Sequence, residues 1–315
     1  MTARVGIALG VAITVCFATG LISHLIQHPV PWFAWPTRPA WLYRFTQGAH
    51  VITGIAAIPL VIVKLWAVWP KLFERPVFGG LTRQFERLSI LVHVAVKLPV
   101  VRRALGEPLD DVAAGGSIGP TRRAVLRGTW LAVGVATLAT AGQTIPLVRQ
   151  VSVLAPRSGA GPQGLPVNRT AIAAGVLRRA YAPDYRLTVV GGATSRSFTI
   201  AELSALPQVT HRLPIACVEG WSADADWTGV VLADLLAAAG AAPDRDLRMV
   251  SLEPPGPYSR TVLPAAHARD RMTLIALRVN GEPLHADHGY PCRLIAPSRP
   301  GVLQTKWLSR IEVIP

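Results

Sequence analysis

The sequence predicts N-terminal transmembrane α-helices, about three spans plus one short apolar segment, followed by a globular α+β domain. Half of the 315 residues are hydrophobic and the mean hydropathy is +0.36, which is high for a soluble protein. Long apolar runs stop near residue 150, and shorter, strand-like runs follow them. We therefore divide the chain into a helical membrane domain (1–150), a linker (151–167) and a globular domain (168–315).

The formal net charge of +14 does not by itself indicate nucleic-acid binding. Lys and Arg group at 64–87, 97–103 and 122–127, next to apolar runs, as expected of cytoplasmic loops under the positive-inside rule. A nucleic-acid surface would need a basic stripe with interleaved aromatic residues, and the sequence has none. We expect a lipid bilayer, and no nucleic acid, as the partner of this half.

Two apolar runs come before the first basic loop. Residues 5–26 are long enough to cross a bilayer. A cleavable signal peptide is the alternative, since the run follows Arg4. The length of the run and the lack of a small-residue cleavage site before His28 favour an uncleaved anchor. A Pro- and Trp-rich segment follows, typical of an interfacial loop, and residues 46–69 form the second predicted span.

The remaining apolar segments decide the predicted topology. Residues 88–101 contain His93 and Lys97 and are too short to cross comfortably, whereas 124–148 form the third span. Under the positive-inside rule, Arg4 and the sparsely charged loop 28–45 place the N-terminus inside. If 88–101 does not cross, the chain stays inside until the basic residues 122–127, which precede the third span. The C-terminal domain then lies on the extracytoplasmic side of the cytoplasmic membrane.

The stretch 121–127 (TRRAVLR) resembles a twin-arginine export signal placed inside the chain. Such a signal carries folded, cofactor-loaded domains across a membrane. An ordinary basic flank of the third span is the alternative interpretation.

Four histidines lie in or near the apolar segments: His24, His28, His50 and His93. Ionisable residues in membrane segments are candidates for function, and two histidines on facing helices could ligate a b-type haem. His24 and His50 both fall near the outer ends of their spans. Interfacial or hydrogen-bonded histidines are the alternative.

The C-terminal half alternates short β-rich runs with turn signals. Two stretches, 170–180 and 229–240, have helical spacing, and the second ends at Gly240. The mixture predicts an α+β domain with antiparallel or mixed strands. No glycine-rich phosphate loop follows a strand. The predicted strands are 185–192, 196–200, 247–252, 271–281, 292–297 and 308–314.

Three segments carry candidate chemistry. Cys217 ends a short apolar strand and precedes a polar turn (CVEGWS), where a thiolate can be presented to a soft metal. His288 and Arg293 flank a Gly-x-Pro turn, and Arg and Lys are the expected partners of a phosphate. The third segment is 304–313 (QTKWLSRIEV). Taken singly, a structural cysteine and a solvated loop are the alternatives.

Together the motifs CVExWS, HGYPxRLIxP and KWLxRIEV resemble the molybdopterin domain of the sulfite-oxidase superfamily, over roughly residues 160–315. The resemblance is to the bacterial branch that includes protein-methionine-sulfoxide reductase. Eukaryotic sulfite oxidases have Asn-Arg-Arg after their cysteine, where this chain has Glu-Gly-Trp-Ser. The membrane half resembles the cytochrome-like anchors fused to such domains, with fewer helices.

The resemblance implies that Cys217 donates its thiolate to molybdenum, and that His288 and Arg293 hold the pterin and its phosphate. Cys292 stands where an apolar residue is usual, and we expect it to be buried. The resemblance implies further cofactor contacts from Asn168, Ser251, Gln304, Thr305 and Lys306.

These features predict a membrane-anchored molybdenum-cofactor oxidoreductase that transfers an oxo group to or from a small substrate outside the cytoplasmic membrane, with sulfur-containing compounds among the candidate substrates. The metal and pterin perform the chemistry, and an electron-transfer partner exchanges electrons with them. The alternative is a non-catalytic or degenerate cofactor-binding module that assembles with a membrane redox partner.

Overall fold

The structure, a computed structural model, describes residues 2–72, 121–141, 151–155, 161–191 and 194–314. The chain divides into two compact units. The first comprises Met1–Gly20 and Ala49–Ala141, and the second Leu21–Gly48 and Gly142–Pro315. The predicted short apolar segment 88–101, with His93, lies outside the described residues.

Within the described residues, three helices are long and apolar enough to cross a membrane: α1 (Thr2–Gln27), α2 (Leu42–Leu72) and α3 (Arg122–Ala141). They confirm the three predicted spans. Helix α2 begins four residues before the predicted position 46. Helix α3 covers the predicted third span as far as Ala141, and residues 142–148 lie outside the described part of the chain.

The second unit contains two five-stranded sheets. In the first, the strand order is β2-β1-β10-β5-β6, and β1 and β10 pair in parallel. In the second, the order is β3-β4-β7-β8, and β9 also pairs with β7. The strands are β1 (Leu187–Gly191), β2 (Thr194–Phe198), β3 (Gln208–Ala216), β4 (Ser222–Val231), β5 (Leu247–Ser251), β6 (Arg260–Leu263), β7 (Leu274–Val279), β8 (Glu282–Pro283), β9 (Arg293–Ile295) and β10 (Leu308–Val313).

Four short helices accompany the sheets: α4 (Leu177–Ala180), α5 (Ile200–Ala205), α6 (Leu232–Ala238) and α7 (Ala265–Arg269). The start of α5 is fixed by a capping box, in which Thr199 and Glu202 each accept from the other's backbone N–H. Together with the sheets, these helices confirm the predicted α+β class.

The predicted helix at 170–180 is mostly wrong. Only its last four residues are helical, and the residues before them form turns. Gly175 has φ +65°, and the Val176 N–H bonds back to the Ala171 carbonyl 3.1 Å away. A left-handed glycine ends a helical turn, so the apolar pattern here describes buried turns and not a continuous helix.

The predicted helix at 229–240 begins three residues late, at Leu232, because Gly229 and the two valines after it complete β4. A Cβ added at Gly229 would lie 2.1 Å from the carbonyl oxygen of Ile275 on the paired strand. Because Gly229 has no side chain, the backbones of β4 and β7 can approach each other closely at this position.

Two apolar clusters form the core of the second unit. The larger packs the first sheet against α5 and α6, with Leu187, Leu235 and Ile311 fully buried. The second surrounds the end of β3 and includes Trp227 and Cys217. The polar segments singled out in the sequence meet beside this second cluster.

Candidate functional site

The first component of the site is the turn that follows β3. Strands β3 and β4 are paired from Gln208↔Val230 to Ala216↔Ser222, so the chain must reverse within residues 217–221. The reversal is closed by hydrogen bonds from the Cys217 N–H to the Trp221 carbonyl (2.8 Å) and from the Gly220 N–H to the Cys217 carbonyl (3.1 Å). Gly220 has φ +94°, which favours glycine. The Cys217 side chain is thus held at a strand end, 1% exposed.

This turn forms one wall of a cleft of about 380 Å³, part of which is open to solvent. The cleft brings together Cys217, His288, Arg293, Lys306 and Asn168, five of the predicted site residues. The rest of the lining consists of Leu165, Pro166, Ile215, Trp221, Trp227 and Gly301.

Arg293, the first residue of β9, is buried in the wall of this cleft. Its two terminal nitrogens donate to the carbonyls of His288 (3.0 Å) and Gln304 (3.2 Å), and its Nε is buried without a hydrogen-bond partner among the described residues. The guanidinium lies 5.1 Å above the Trp227 ring. Burial lowers the pKa of Arg293 to about 9.

Lys306 supplies a second, half-buried cation. Its Nζ donates to the carbonyls of Arg169 (2.7 Å) and Asp287 (2.9 Å) and to Oδ1 of Asn168 (3.4 Å). Burial, and then the charge of Arg293, lower the pKa of Lys306 to about 7. Within the described part of the chain, neither cation forms an ion pair with a carboxylate.

His288 ends a short 3-10 helix, Ala286–His288. Its Nε2 donates to the Pro162 carbonyl 2.6 Å away, so Nε2 carries the proton. Burial lowers the pKa of His288 to about 4, and the charges of Arg293 and Lys306 act in the same direction. The ring is therefore neutral at pH 7, and its Nδ1 is an acceptor suited to an N–H group of a pterin.

The turn between His288 and Arg293 requires a glycine. Gly289 has φ +106°, and an added Cβ would lie 3.0 Å from the Arg293 Cβ and 3.2 Å from the Lys306 Cβ. The glycine lets the backbone of this turn approach both cationic side chains.

The side chains of the other three predicted residues make hydrogen bonds outside the lining of the cleft. The Ser251 hydroxyl donates to the Lys306 carbonyl (2.9 Å), Gln304 Nε2 donates to the Arg299 carbonyl (3.0 Å), and Thr305 Oγ1 lies 2.8 Å from Thr261 Oγ1. None of these three side chains is in the lining of the cleft. Their direct contact with a cofactor stays a prediction.

Trp227 and Pro162 were missed in the sequence. Trp227 lies on β4 opposite His211, ten residues after Cys217, and its ring supports Arg293. The alternating burial of β4 was the available signal. Nothing in the sequence marks Pro162, since its carbonyl is brought to His288 by folding.

The candidate haem histidines in the described residues make different local contacts. The rings of His24 and His28 stack with centroids 4.5 Å apart. His50 Nδ1 lies 2.9 Å from the Cys16 carbonyl and 3.4 Å from Thr19 Oγ1. These contacts orient the ring of His50 and leave the haem assignment a prediction.

The residues of the cleft fit a molybdopterin. A buried Arg293 with an unpartnered Nε and a half-buried Lys306, neither with a carboxylate partner among the described residues, are costly unless an anion joins them, and a phosphate supplies such an anion. Among the described residues, no group of three His, Cys, Asp or Glu side chains could hold a metal. A metal beside Cys217 would therefore take its other ligands from a cofactor, as a dithiolene-bearing pterin provides.

We expect the stability of the cofactor-free protein to fall as the pH drops from about 6.5 to about 4. Burial lowers the pKa of both His288 and His267 from 6.5 to about 4. The unfolded chain takes up these protons below about pH 6.5, and the folded chain only near pH 4. The stabilisation is thus complete above pH 6.5 and is lost towards pH 4, by roughly 3 kcal/mol per histidine.

Thermal unfolding at pH 7 and pH 4.5 checks this expectation. A glutamine at position 267 has no titrating group, so a His267→Gln protein should lose less stability between the two pH values than the wild type. Because His267 lies outside the cleft, this substitution leaves the cleft residues in place. An equal loss in both proteins would contradict it.

The comparisons with known proteins agree with this geometry. The sequence profile of the oxidoreductase molybdopterin binding domain matches residues 174–315. Mitochondrial sulfite oxidase of Drosophila melanogaster is 33% identical over 156 residues, which cover 41% of this chain and 27% of the relative. A putative protein-methionine-sulfoxide reductase subunit YedZ1 of Azospira oryzae is 33% identical over 138 residues, which cover 44% of this chain and 52% of the relative.

Among solved structures, the sulfane dehydrogenase SoxCD of Paracoccus pantotrophus matches 41% of this chain and 38% of its own, with 26% identity and a TM-score of 0.37. The chain spans between about a quarter and half of the length of the two curated relatives named above. Residues 174–315 thus match an oxidoreductase molybdopterin binding domain and are similar in sequence to sulfite oxidase.

Proposed function

We propose that this chain is a membrane-anchored molybdenum oxidoreductase that transfers an oxo group to or from a small, sulfur-containing substrate. The observation that carries the proposal is that Cys217, the buried Arg293 and the half-buried Lys306 line one cleft. The cations would hold the pterin phosphate, His288 would accept from the pterin ring, and Cys217 would ligate the metal. The bound cofactor would supply two-electron oxo-transfer chemistry.

The electron balance requires a partner in either direction. Reducing a sulfoxide consumes two electrons and two protons and releases water, whereas oxidising sulfite consumes water and releases two electrons and two protons. A separate redox protein or membrane carrier would exchange these electrons. One relative is named as a reductase subunit, which supports an assembly of this kind.

A carboxylate near the cleft favours a neutral substrate. Glu219 follows Cys217 by two residues, is exposed, and accepts a hydrogen bond from Trp221 Nε1 at 3.4 Å. Trp221 lines the cleft. An anion such as sulfite would be repelled by Glu219, and an uncharged sulfoxide would not. We therefore place sulfoxide reduction ahead of sulfite oxidation.

A Glu219→Arg protein tests the role of this charge. At ~8 Å and an effective dielectric constant of ~40, one charge contributes about 1 kcal/mol, or about fivefold in rate. Replacing Glu by Arg changes the charge by two units, about 2 kcal/mol, so kcat/KM for sulfite should rise by about 30-fold and that for a sulfoxide should change by less than about twofold. Equal changes in kcat/KM for both substrates would contradict the proposed repulsion of sulfite by Glu219.

We further propose that the C-terminal domain lies outside the cytoplasmic membrane. Residues 28–41 link the first two spans and contact this domain, for example through Trp35 Nε1 and the Ser298 carbonyl at 2.8 Å. The link and the domain must then share one side. The link has few charges, while Arg4 and the 121–127 segment are basic, so the positive-inside rule favours the outside for the link.

Labelling intact cells with a membrane-impermeant thiol reagent tests this topology. Thr121 and Ser195 are both exposed. Thr121 directly precedes the third span, and Ser195 follows it in the C-terminal domain. A Ser195→Cys chain should be labelled in intact cells, and a Thr121→Cys chain only after permeabilisation. The reverse pattern would place the domain inside.

Parallel assays test the proposed reaction. The purified full chain, loaded with cofactor, should reduce a sulfoxide with an artificial electron donor, or oxidise sulfite with an artificial acceptor. A fully loaded protein that does neither would favour the alternative, a cofactor-binding module without catalysis.

A further inference from the structure

The segment that joins the first two spans packs on the molybdopterin domain beside the cofactor site. We call residues 28–47 the interspan segment. Its Arg38 pairs with Asp270 (2.8 Å) and its Arg44 with Asp224 (2.8 Å). Near its end, Tyr43 is fully buried against Ala216, the residue before Cys217. The segment therefore reaches the strand end that presents the thiol.

A chain of hydrogen bonds runs from the end of α1 through this segment to the thiol-bearing turn. Ser23 Oγ lies 3.2 Å from the Tyr43 hydroxyl, which lies 3.4 Å from Gln47 Oε1. Gln47 Nε2 donates to the Val218 carbonyl at 3.1 Å. Gln47 is 5% exposed although its side chain is polar, so its amide is committed to these contacts.

The Val218 carbonyl belongs to the peptide that joins Val218 to Glu219, the second peptide after the candidate metal ligand Cys217. The turn itself is closed by two backbone hydrogen bonds at Cys217 and Gly220, and neither uses this carbonyl. Its contact with Gln47 anchors the backbone one residue beyond Cys217 and so restrains the direction of the Cys217 Cα–Cβ bond. Loss of the donor would leave the Val218 carbonyl without this hydrogen bond.

We propose that Gln47, oriented by Tyr43, is a positioning residue for the Cys217 thiolate, so that the interspan segment is part of the molybdenum site. This inference rests on the proposed function for its metal, but the geometry it concerns is that of the protein alone. A metal thiolate must be held in one orientation by its surroundings. Gln47 supplies that constraint from outside residues 174–315.

The labelling rate of Cys217 in the full-length, cofactor-free chain tests the proposal. Iodoacetamide alkylation is followed by mass spectrometry, which reports Cys217 and Cys292 separately. A Gln47→Met chain keeps the length of the side chain and loses the donor, and its Cys217 should be alkylated at least about tenfold faster than in the wild type. Cys292 is fully buried in the core and should keep its wild-type rate.

Arg44→Met is the matched control. It changes the same helix end and the same interspan segment, and it breaks the ion pair with Asp224 without touching the turn. Its Cys217 rate should stay within about twofold of the wild type. If Gln47→Met leaves the Cys217 rate unchanged, or if Cys217 and Cys292 accelerate together, the positioning role is overturned.

A milder variant covers the case in which Gln47→Met does not accumulate. Tyr43→Phe keeps the ring in its apolar cluster and removes only the hydroxyl that faces Gln47. It should raise the Cys217 rate about threefold and spare Cys292. An unchanged rate in this variant would also count against the proposal.

A spectroscopic measurement links the effect to the metal. In the cofactor-loaded full chain, the thiolate-to-molybdenum charge-transfer absorption should shift in Gln47→Met and not in Arg44→Met. Wild-type protein without molybdenum would refute the proposed function while the alkylation result still stands. Loaded protein with identical spectra in all three chains would refute only the positioning role.

Discussion

A Cys217→Ser protein is expected to lose activity by roughly 10³-fold or more, about 4 kcal/mol of transition-state stabilisation, while keeping its cofactor within about twofold of the wild-type amount. A serine hydroxyl is a poor ligand for a soft metal site, so the metal loses its protein ligand. Arg293 and Lys306 still hold the pterin phosphate, so the cofactor stays. Activity and molybdenum content of the same preparation check both statements.

Cys292 provides the control for this substitution. It is fully buried in the main core, 3.2 Å from the Tyr185 hydroxyl, and burial raises the pKa of its thiol to about 12. A Cys292→Ala protein should keep its activity per bound cofactor within about threefold. Residual activity above one tenth in Cys217→Ser would contradict the ligand assignment.

The second large effect is expected from Arg293→Met, which should lower the molybdenum and pterin content below about one tenth of the wild type. Each hydrogen bond to a charged group contributes about 1.5–3 kcal/mol. Losing two such bonds to a phosphate weakens binding by about 10²–10⁴-fold. Elemental and pterin analysis of the purified chain measures the loss.

Although Arg293→Met should weaken cofactor binding, it should not weaken the fold of the cofactor-free protein. An uncompensated buried guanidinium destabilises the fold, so Arg293→Met without cofactor should be as stable as the wild type or more stable. Arg299 is the matched control, since it is equally buried and its pKa is also lowered to about 9, but it does not line the cleft. Folded Arg299→Met protein should keep its cofactor. Equal cofactor loss in both variants would contradict the phosphate role of Arg293.

The spans and most of the strands could be predicted because each depends on a local pattern. Runs of more than twenty apolar residues leave few alternatives to a transmembrane helix, and α1 and α2 fall where expected. The segment 170–180 failed because its many Ala, Val and Leu residues suit a helix, whereas Gly175 in the left-handed region ends the turn that precedes α4.

The cleft was predictable in part for the same reason. Cys217, His288, Arg293, Lys306 and Asn168 belong to short motifs whose residue types suggest a metal and a phosphate, and the fold brings them together. The contacts that hold the site residues in place could not be predicted from the sequence. Val218 and Gln47 are 171 positions apart, and no sequence pattern couples an amide on one helix end to a carbonyl in a distant turn.

The most direct test of this account is the molybdenum and pterin content of the purified full-length chain, made in a host that synthesises the cofactor and exports folded proteins. We predict about one molybdenum and one pterin per chain, lost together in Arg293→Met and both retained in Cys217→Ser. Wild-type protein that is folded but contains less than about 0.1 molybdenum per chain would contradict the assignment of the cleft.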